Sequence, residues 1–302
     1  MKITEIPYNL LIENGDEFDR QFDDACDWLT SIGLDHNRTR YGDYKKAIDI
    51  FTNSNERGKS EEQLEHEFYS FLNAYAEIAE LVRIKSVFSE HQFSNLNQKL
   101  KKVLAGSPFK NLSGNDNSRD FLFELTIASR FINAGYKVDI NQSADVVAST
   151  DGIIIYIECK RVKSAKQIKK RVKSANQQLK KRIQASRTTG ARGIVALHVS
   201  DIINPEYKMN LIDDPHKLKR INSDELQLFV ENNEAVLKSK MTSKSLGVLC
   251  EHISNGFTIS KIPPAHLYCR GAKFYTYNLT PKYKNLISEM LPKLCNQKFF
   301  NL

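Results

Sequence analysis

Asp145, Glu158 and Lys160 are the residues of this 302-residue chain whose types and spacing best suit chemistry. Twelve residues separate Asp145 from Glu158, among them the apolar run Ile153-Ile154-Ile155-Tyr156-Ile157, and Cys159 alone separates Glu158 from Lys160. Residues two apart on a β-strand project from the same face. Glu158 and Lys160 therefore project together, and an antiparallel preceding strand brings Asp145 to them. Two carboxylates beside one ammonium form an oxygen-donor site for a divalent cation with an electrostatic helper next to it, which suits phosphodiester hydrolysis. The backbone carbonyl of Cys159 is a natural third oxygen donor. Asp139 and Asp151 compete with Asp145 for the ligand role. Asp151 precedes Gly152 in a turn, where backbone geometry alone explains an aspartate, and Asp139 reads as solvent-facing. Glu158 follows five apolar residues, where a carboxylate is costly to bury unless coordinated or paired. The Cys159 thiol reads as strand packing, since no histidine lies near it in sequence.

The elements that must hold these groups are legible around them. Residues 118–134 carry an apolar stripe at helical spacing (Phe121, Leu125, Ala128, Phe131, Ile132) and stop at Gly135. Glu124 falls within that stripe and points toward the sheet; an intrahelical pair near Arg119 is the competing account. Residues 136–140, 145–148 and 153–160 read as three strands, with Ser149-Thr150-Asp151-Gly152 as a hairpin turn. Residues 165–186 form a long helix whose Ile168, Val172, Ala175, Leu179 and Ile183 face the sheet, and 193–200 is an apolar strand suited to burial on both faces. The order is αβββαβ.

In its Asp145…Glu158-x-Lys160 pattern and in this order of elements, the region 118–200 resembles the PD-(D/E)XK nuclease superfamily, the restriction-endonuclease-like fold. The proline that often precedes the first aspartate in that family is Ala144 here. The resemblance implies a Mg²⁺-dependent endonuclease, with Mn²⁺ able to substitute. In it Asp145, Glu158, the Cys159 carbonyl and Glu124 hold the metal, and Lys160 positions or activates the attacking water beside the scissile phosphate. The metal role of Glu124 comes from the family, where an acidic residue on the first helix often assists. Gln177 or Gln178 resembles the glutamine that some members carry on the long helix near the site. DNA is the implied substrate ahead of RNA, and restriction, antiphage defence or repair the implied setting.

Charge distribution points to the same partner. Net charge is +8, but residues 1–110 hold 14 Lys/Arg against 19 Asp/Glu, whereas residues 111–302 hold 30 against 17. Between Cys159 and Ser200 there are thirteen basic residues and no carboxylate. Such a surface attracts phosphate polymers through counterion release. The expected contacts are Lys163, Lys166, Lys169, Lys170, Arg171, Lys173, Lys180, Lys181 and Arg182, with Gln178 among them.

The fold class expected is α/β (α+β): a helical N-terminal domain over 1–110, then a nuclease-like domain with a mixed sheet and a C-terminal extension over 111–302. Composition and charge both change at 111–117. Helices are expected at 16–32, 41–51, 60–88 and 93–104; the third has an a/d-type stripe of Leu64, Phe68, Phe71, Tyr75, Ile78 and Val82. In the extension, 223–240 reads as a helix, 246–253 as a strand, 266–279 as a hairpin around Arg270-Gly271-Ala272, and 284–294 as a final helix.

Several classes are set aside by composition. No apolar run approaches bilayer length, and the first residues turn polar too soon for a secretory signal. Five widely spaced cysteines form neither a zinc pattern nor a disulfide framework, so a reducing cytoplasm is expected. The seven histidines show no metal spacing, and no P-loop or dinucleotide fingerprint is present. Two rival readings belong to other classes. One is a non-catalytic nucleic-acid-binding module on the same fold. The other is an interaction protein whose acidic N-terminal part pairs with a partner or covers its own basic face. The N-terminal helices are the candidate surface for a homodimer or a protein partner.

Overall fold

The computed structural model describes residues 2–6, 10–13, 15–53, 58–110, 116–141, 144–150, 152–205, 209–258, 260 and 265–294. The chain forms two compact units, Gly15–Leu122, and Met1–Asn14 together with Phe123–Leu302. Among the described residues no helix is long and apolar enough to cross a membrane.

The helical unit holds α1 (Gly15–Ser31), α2 (Arg40–Thr52), α3 (Glu61–Phe88), α4 (Leu96–Leu104) and the start of α5 (Asn117–Asn133). Ser60 and Gln63 cap α3 reciprocally: Gln63 N donates to Ser60 Oγ at 3.3 Å, and Ser60 N donates to Gln63 Oε1 at 2.9 Å. The apolar stripe expected on α3 is fully buried only from Tyr75 onward, and from Leu72 the polar Asn73, Glu77, Glu80 and Arg83 are buried as well. Glu77 lies between two buried arginines, 2.9 Å from Arg40 and 2.6 Å from Arg119, which also reaches Asp116 at 3.1 Å.

The sheet unit contains β1 (Lys2–Ile6), β2 (Leu10–Glu13), β3 (Lys137–Asp139), β4 (Val146–Thr150), β5 (Ile153–Arg161), β6 (Ala191–His198), β7 (Met209–Ile212), β8 (Ser245–Thr258) and β9 (Ala265–Thr276). Its remaining helices are α6 (Ala165–Ala185), α7 (Ser200–Ile203), α8 (Pro215–Asn232), α9 (Glu234–Leu237) and α10 (Pro281–Lys293). The strands make one nine-stranded mixed sheet, ordered β1-β9-β8-β6-β5-β4-β3, with β2 also on β9 and β7 on β8. β3, β4 and β5 are antiparallel neighbours; α6 then carries the chain to β6, which lies parallel to β5.

Side-chain alternation gives the sheet two different faces. Tyr156, Val195, Leu197, Val248, Cys250 and Tyr275 pack with Ile168, Val172, Ala175, Leu179 and Ile183 of α6 and with Leu226, Phe229 and Val230 of α8. On the opposite face α5 meets the sheet through the Arg130–Glu251 ion pair and the edge-on contact of Phe123 with His198. Gly193 lets α6 lie close: a Cβ there would stand 3.1 Å from Leu179 Cδ1 and 3.2 Å from Ile183 Cδ1. The sheet's turn into β5 uses Gly152 at φ +74°, a left-handed conformation that favours glycine.

Several expectations differ from this architecture. Residues 2–6 and 10–13, assigned by sequence to the helical domain, are strands, because β9 offers them a hydrogen-bonding edge: Lys2 pairs with Thr276 and Leu10 with Cys269. The boundary expected within 111–117 falls largely on residues 111–115, outside the described residues; the units part at Leu122/Phe123, inside α5. The first turns of α5 belong to the helical unit because Arg119 is tied there to Glu77 and Asp116. The hairpin expected at 266–279 is instead one strand, since β8 supplies a continuous ladder along it, with β2 and β1 on the two halves of its other edge. The helix expected from 223 starts eight residues earlier, where Asp214 caps it and Pro215 supplies the preset first helical φ.

Candidate active site

Hairpin register brings the chemistry-bearing residues together. β4 pairs with β5 from Thr150↔Ile153 to Val146↔Ile157. The next step outward sets Asp145, just beyond the end of β4, opposite Glu158. Residues directly opposite on antiparallel strands share a face, and Lys160 follows on that face two residues later. Lys160 Nζ lies 3.2 Å from Asp145 Oδ2 and 3.3 Å from Glu158 Oε2. Asp145 Oδ2 also accepts the Cys159 backbone N–H at 2.8 Å. A strand residue's N–H and C=O turn toward the same neighbour, so the Cys159 carbonyl opens on the Asp145 side. Glu158 is fully buried (0% exposed), whereas the side chains of Lys160 and Asp145 keep 15% and 20% of their surface in contact with solvent.

A fourth charged group comes from α6. Arg182 ion-pairs with Glu158 Oε1, on the side of the carboxylate away from Lys160's oxygen. Burial holds its guanidinium below the ordinary arginine pKa, while Asp145 and Glu124 nearby act in the opposite direction. Glu124, half-buried on α5, thus belongs to the same electrostatic neighbourhood. One turn before Arg182, Gln178 presents a buried Oε1 that has no hydrogen-bond partner among the described residues, while Gln177 is exposed. Helix phase therefore sends Gln178 inward.

Two cations expected on the nucleic-acid-facing surface are placed elsewhere. Arg182 is turned into the carboxylate cluster and only 16% of its side chain is exposed. Lys163 is buried and sits in the short connection from β5 to α6 rather than on the helix's outer face. Lys166, Lys169, Lys170, Lys180 and Lys181 are exposed, and Arg171 and Lys173 half-exposed. The rival aspartates do not join the cluster: Asp139 Oδ1 accepts the Asn141 N–H at 2.7 Å, an Asx turn, and Asp151 lies outside the described residues. The inward role of Arg182 is not among the sequence expectations, which place it on the nucleic-acid-facing surface. The usable signal was its place beside Leu179 and Ile183, four residues after Gln178, at the margin of the apolar stripe.

The donors around Lys160 are carboxylate and carbonyl oxygens, the hard ligands that Mg²⁺ prefers. Three carboxylates (Asp145, Glu158, Glu124) lie near two cations (Lys160, Arg182), so the neighbourhood keeps one net negative charge. Among the described residues, no three His, Cys, Asp or Glu side chains stand close enough to share an ion. The residues thus fit a divalent cation in kind, and Glu158 can offer both oxygens only when Arg182 gives up its place.

A second polar cluster lies over β8. His252 Nε2 is 3.1 Å from Glu225 Oε2 and 3.0 Å from Ser254 Oγ. Serine, imidazole and carboxylate are the parts of a nucleophilic triad, but a triad uses both ring nitrogens. Here both oxygens address one nitrogen, and Nδ1 is buried without a partner among the described residues. This cluster braces α8 on the sheet, with Asn222 Nδ2 donating to His252 O at 3.1 Å.

No family model matches the chain, and neither does any curated protein or solved structure.

Proposed function

We propose that the chain is a divalent-metal-dependent nuclease of the PD-(D/E)XK type, with a restriction-endonuclease-like core running from α5 to β6 and DNA as its substrate. One observation carries this reading: hairpin register sets Asp145 opposite a fully buried Glu158, with Lys160 within 3.3 Å of both. Asp145 and Glu158, with the Cys159 carbonyl and Glu124, would hold Mg²⁺. When bound, the ion lowers the pKa of a water and neutralises charge on the phosphate. Lys160 holds its ammonium where an attacking water or a phosphate oxygen can meet it. Arg182, once released from Glu158, has the fork geometry to receive a phosphate bidentately. The exposed lysines of α6 give the polyanion a surface to follow. Restriction of foreign DNA or antiphage defence, or repair, in a reducing cytoplasm, is the setting consistent with this chemistry.

A second reading is favoured by one specific feature: Lys160 and Arg182 already engage both carboxylates, so the cluster is satisfied without an ion. On that reading the fold binds nucleic acid without cutting it. Cleavage of plasmid, linear duplex, single-stranded DNA and RNA, compared in Mg²⁺, Mn²⁺ and EDTA, separates the two. The nuclease reading expects metal-dependent cutting that Glu158→Gln or Lys160→Ala reduces by about 10³-fold or more. Binding without cutting in every metal selects the second reading.

A further inference from the structure

The C-terminal end of α6 and the loops it meets enclose a cleft of about 460 Å³ that neither the carboxylate cluster nor the outer face of the helix accounts for. Its walls include Lys180, Arg187 and Lys244 together with Thr188, Thr189 and Thr242, and no carboxylate. Lys180 and Arg187 are exposed, and Lys244 Nζ leans on Thr189 O at 3.4 Å. The hydroxyls are already used as acceptors: Thr188 Oγ1 receives Gly190 N at 3.2 Å, and Thr242 Oγ1 receives Lys244 N at 3.3 Å. The Thr188 O–H remains to donate, whereas Thr242 Oγ1 is also paired with Ser245 Oγ at 3.4 Å. The cleft therefore offers cations and donors, which is the complement of a phosphate diester.

Cations near a helix C-terminus also offset its dipole, but that accounts for Lys180 and Arg187 only. Lys244 comes from the loop that leads into β8, far along the chain, and converges on the same space. The cleft also shares its helix with the carboxylate cluster. Lys180 stands two residues before Arg182, which reaches Glu158, and Arg187 follows two residues past the end of the same helix at Ala185.

We infer that this cleft is a backbone-phosphate subsite, holding the strand at a phosphate other than the one that meets Asp145 and Glu158. The inference rests on the nucleic-acid reading proposed above and deepens it. The test is fluorescence anisotropy of a short labelled DNA duplex and of its single strand, titrated in EDTA so that no metal-dependent step intervenes. Wild type is compared with K180A/R187A/K244A and with a control triple on the outer face, K166A/K169A/K170A. The cleft variant is expected to bind about 10- to 100-fold more weakly, with a salt slope shallower by about one per lost phosphate contact, and the control to lose less. Wild-type affinity in the cleft variant, an equal loss in both variants, or no binding by the wild type overturns it. Wild-type cutting in Mg²⁺ is scored separately: binding through the cleft without cutting keeps the subsite and removes the nuclease, and cutting by a cleft variant of unchanged affinity does the reverse.

Discussion

Two glutamates of the same sheet, Glu158 on β5 and Glu251 on β8, are both fully buried and both held by two cations, yet they occupy opposite situations. Glu251 is bound by Arg130 from α5 and Arg270 from β9, whose side chains are only 1% and 3% exposed. Its strand lies in the interior of the sheet, between β6 and β9. Burial alone would raise the Glu251 pKa, but the two guanidiniums outweigh it and hold the carboxyl down at about 2. Glu158 lies beyond the last β4–β5 pair, and its partners Lys160 and Arg182 keep 15% and 16% of their side-chain surface in water. Burial of a carboxylate therefore does not by itself mark a site. What separates the two is whether the partners can be exchanged for something arriving from solvent.

The largest effect that would test this contrast is on stability. Removing one member of a sealed ion cluster strands the others without water, so Glu251→Gln is expected to cost about 3–5 kcal/mol in denaturant unfolding. Glu158→Gln should cost about 1 kcal/mol or less, because Lys160 and Arg182 can turn to solvent. Equal losses at the two positions would erase the distinction. Acid titration sharpens it. The Glu251 pKa is lowered on folding from 4.5 to about 2. Its stabilisation is thus complete above pH 4.5 and is lost as pH falls through about 2, to the extent of about 3 kcal/mol. Glu251→Gln should lack that part of the acid-induced loss, and a variant that loses stability over this window as steeply as wild type would contradict the assignment.

A smaller effect concerns the exchangeable partner. Arg182→Ala removes a cation that pairs with Glu158 and stands near Asp145 and Glu124, so added Mg²⁺ or Mn²⁺ should raise the melting temperature more in the variant than in wild type, by a few degrees. No metal-dependent shift in either protein would weaken the view that the cluster accepts an ion. The smallest expected effect is at Asp139, whose carboxylate serves an Asx turn that asparagine can also form. Asp139→Asn should change stability by less than about 0.5 kcal/mol and leave any cleavage intact. Loss of cutting there would move the site away from Asp145.

Much of this arrangement was legible residue by residue. Tyr156, Glu158 and Lys160 share a face through strand alternation alone, and the turn at Gly152 sets the register that brings Asp145 opposite Glu158. The stripe from Ile168 to Ile183 orients α6 in the same local way. Arg270-Gly271-Ala272, by contrast, has the composition of a turn and is extended, because β8 pairs with all three residues. The strands β1 and β2 were missed for the same reason: their partner, β9, begins more than 250 residues later, at Ala265.

By itself, then, the sequence determined which side chains share a face, since alternation and helical phase depend on neighbours a few residues apart. Tertiary structure decided which groups meet across elements. The close seat of α6 over Gly193 turned Arg182 from an expected surface cation into the partner of Glu158, and the crossing of α5 placed Arg130 on Glu251. The physical reason is one of range. Strand and helix periodicity is set by backbone sterics within a turn, whereas the pairing of buried charges follows from which distant surfaces share a core.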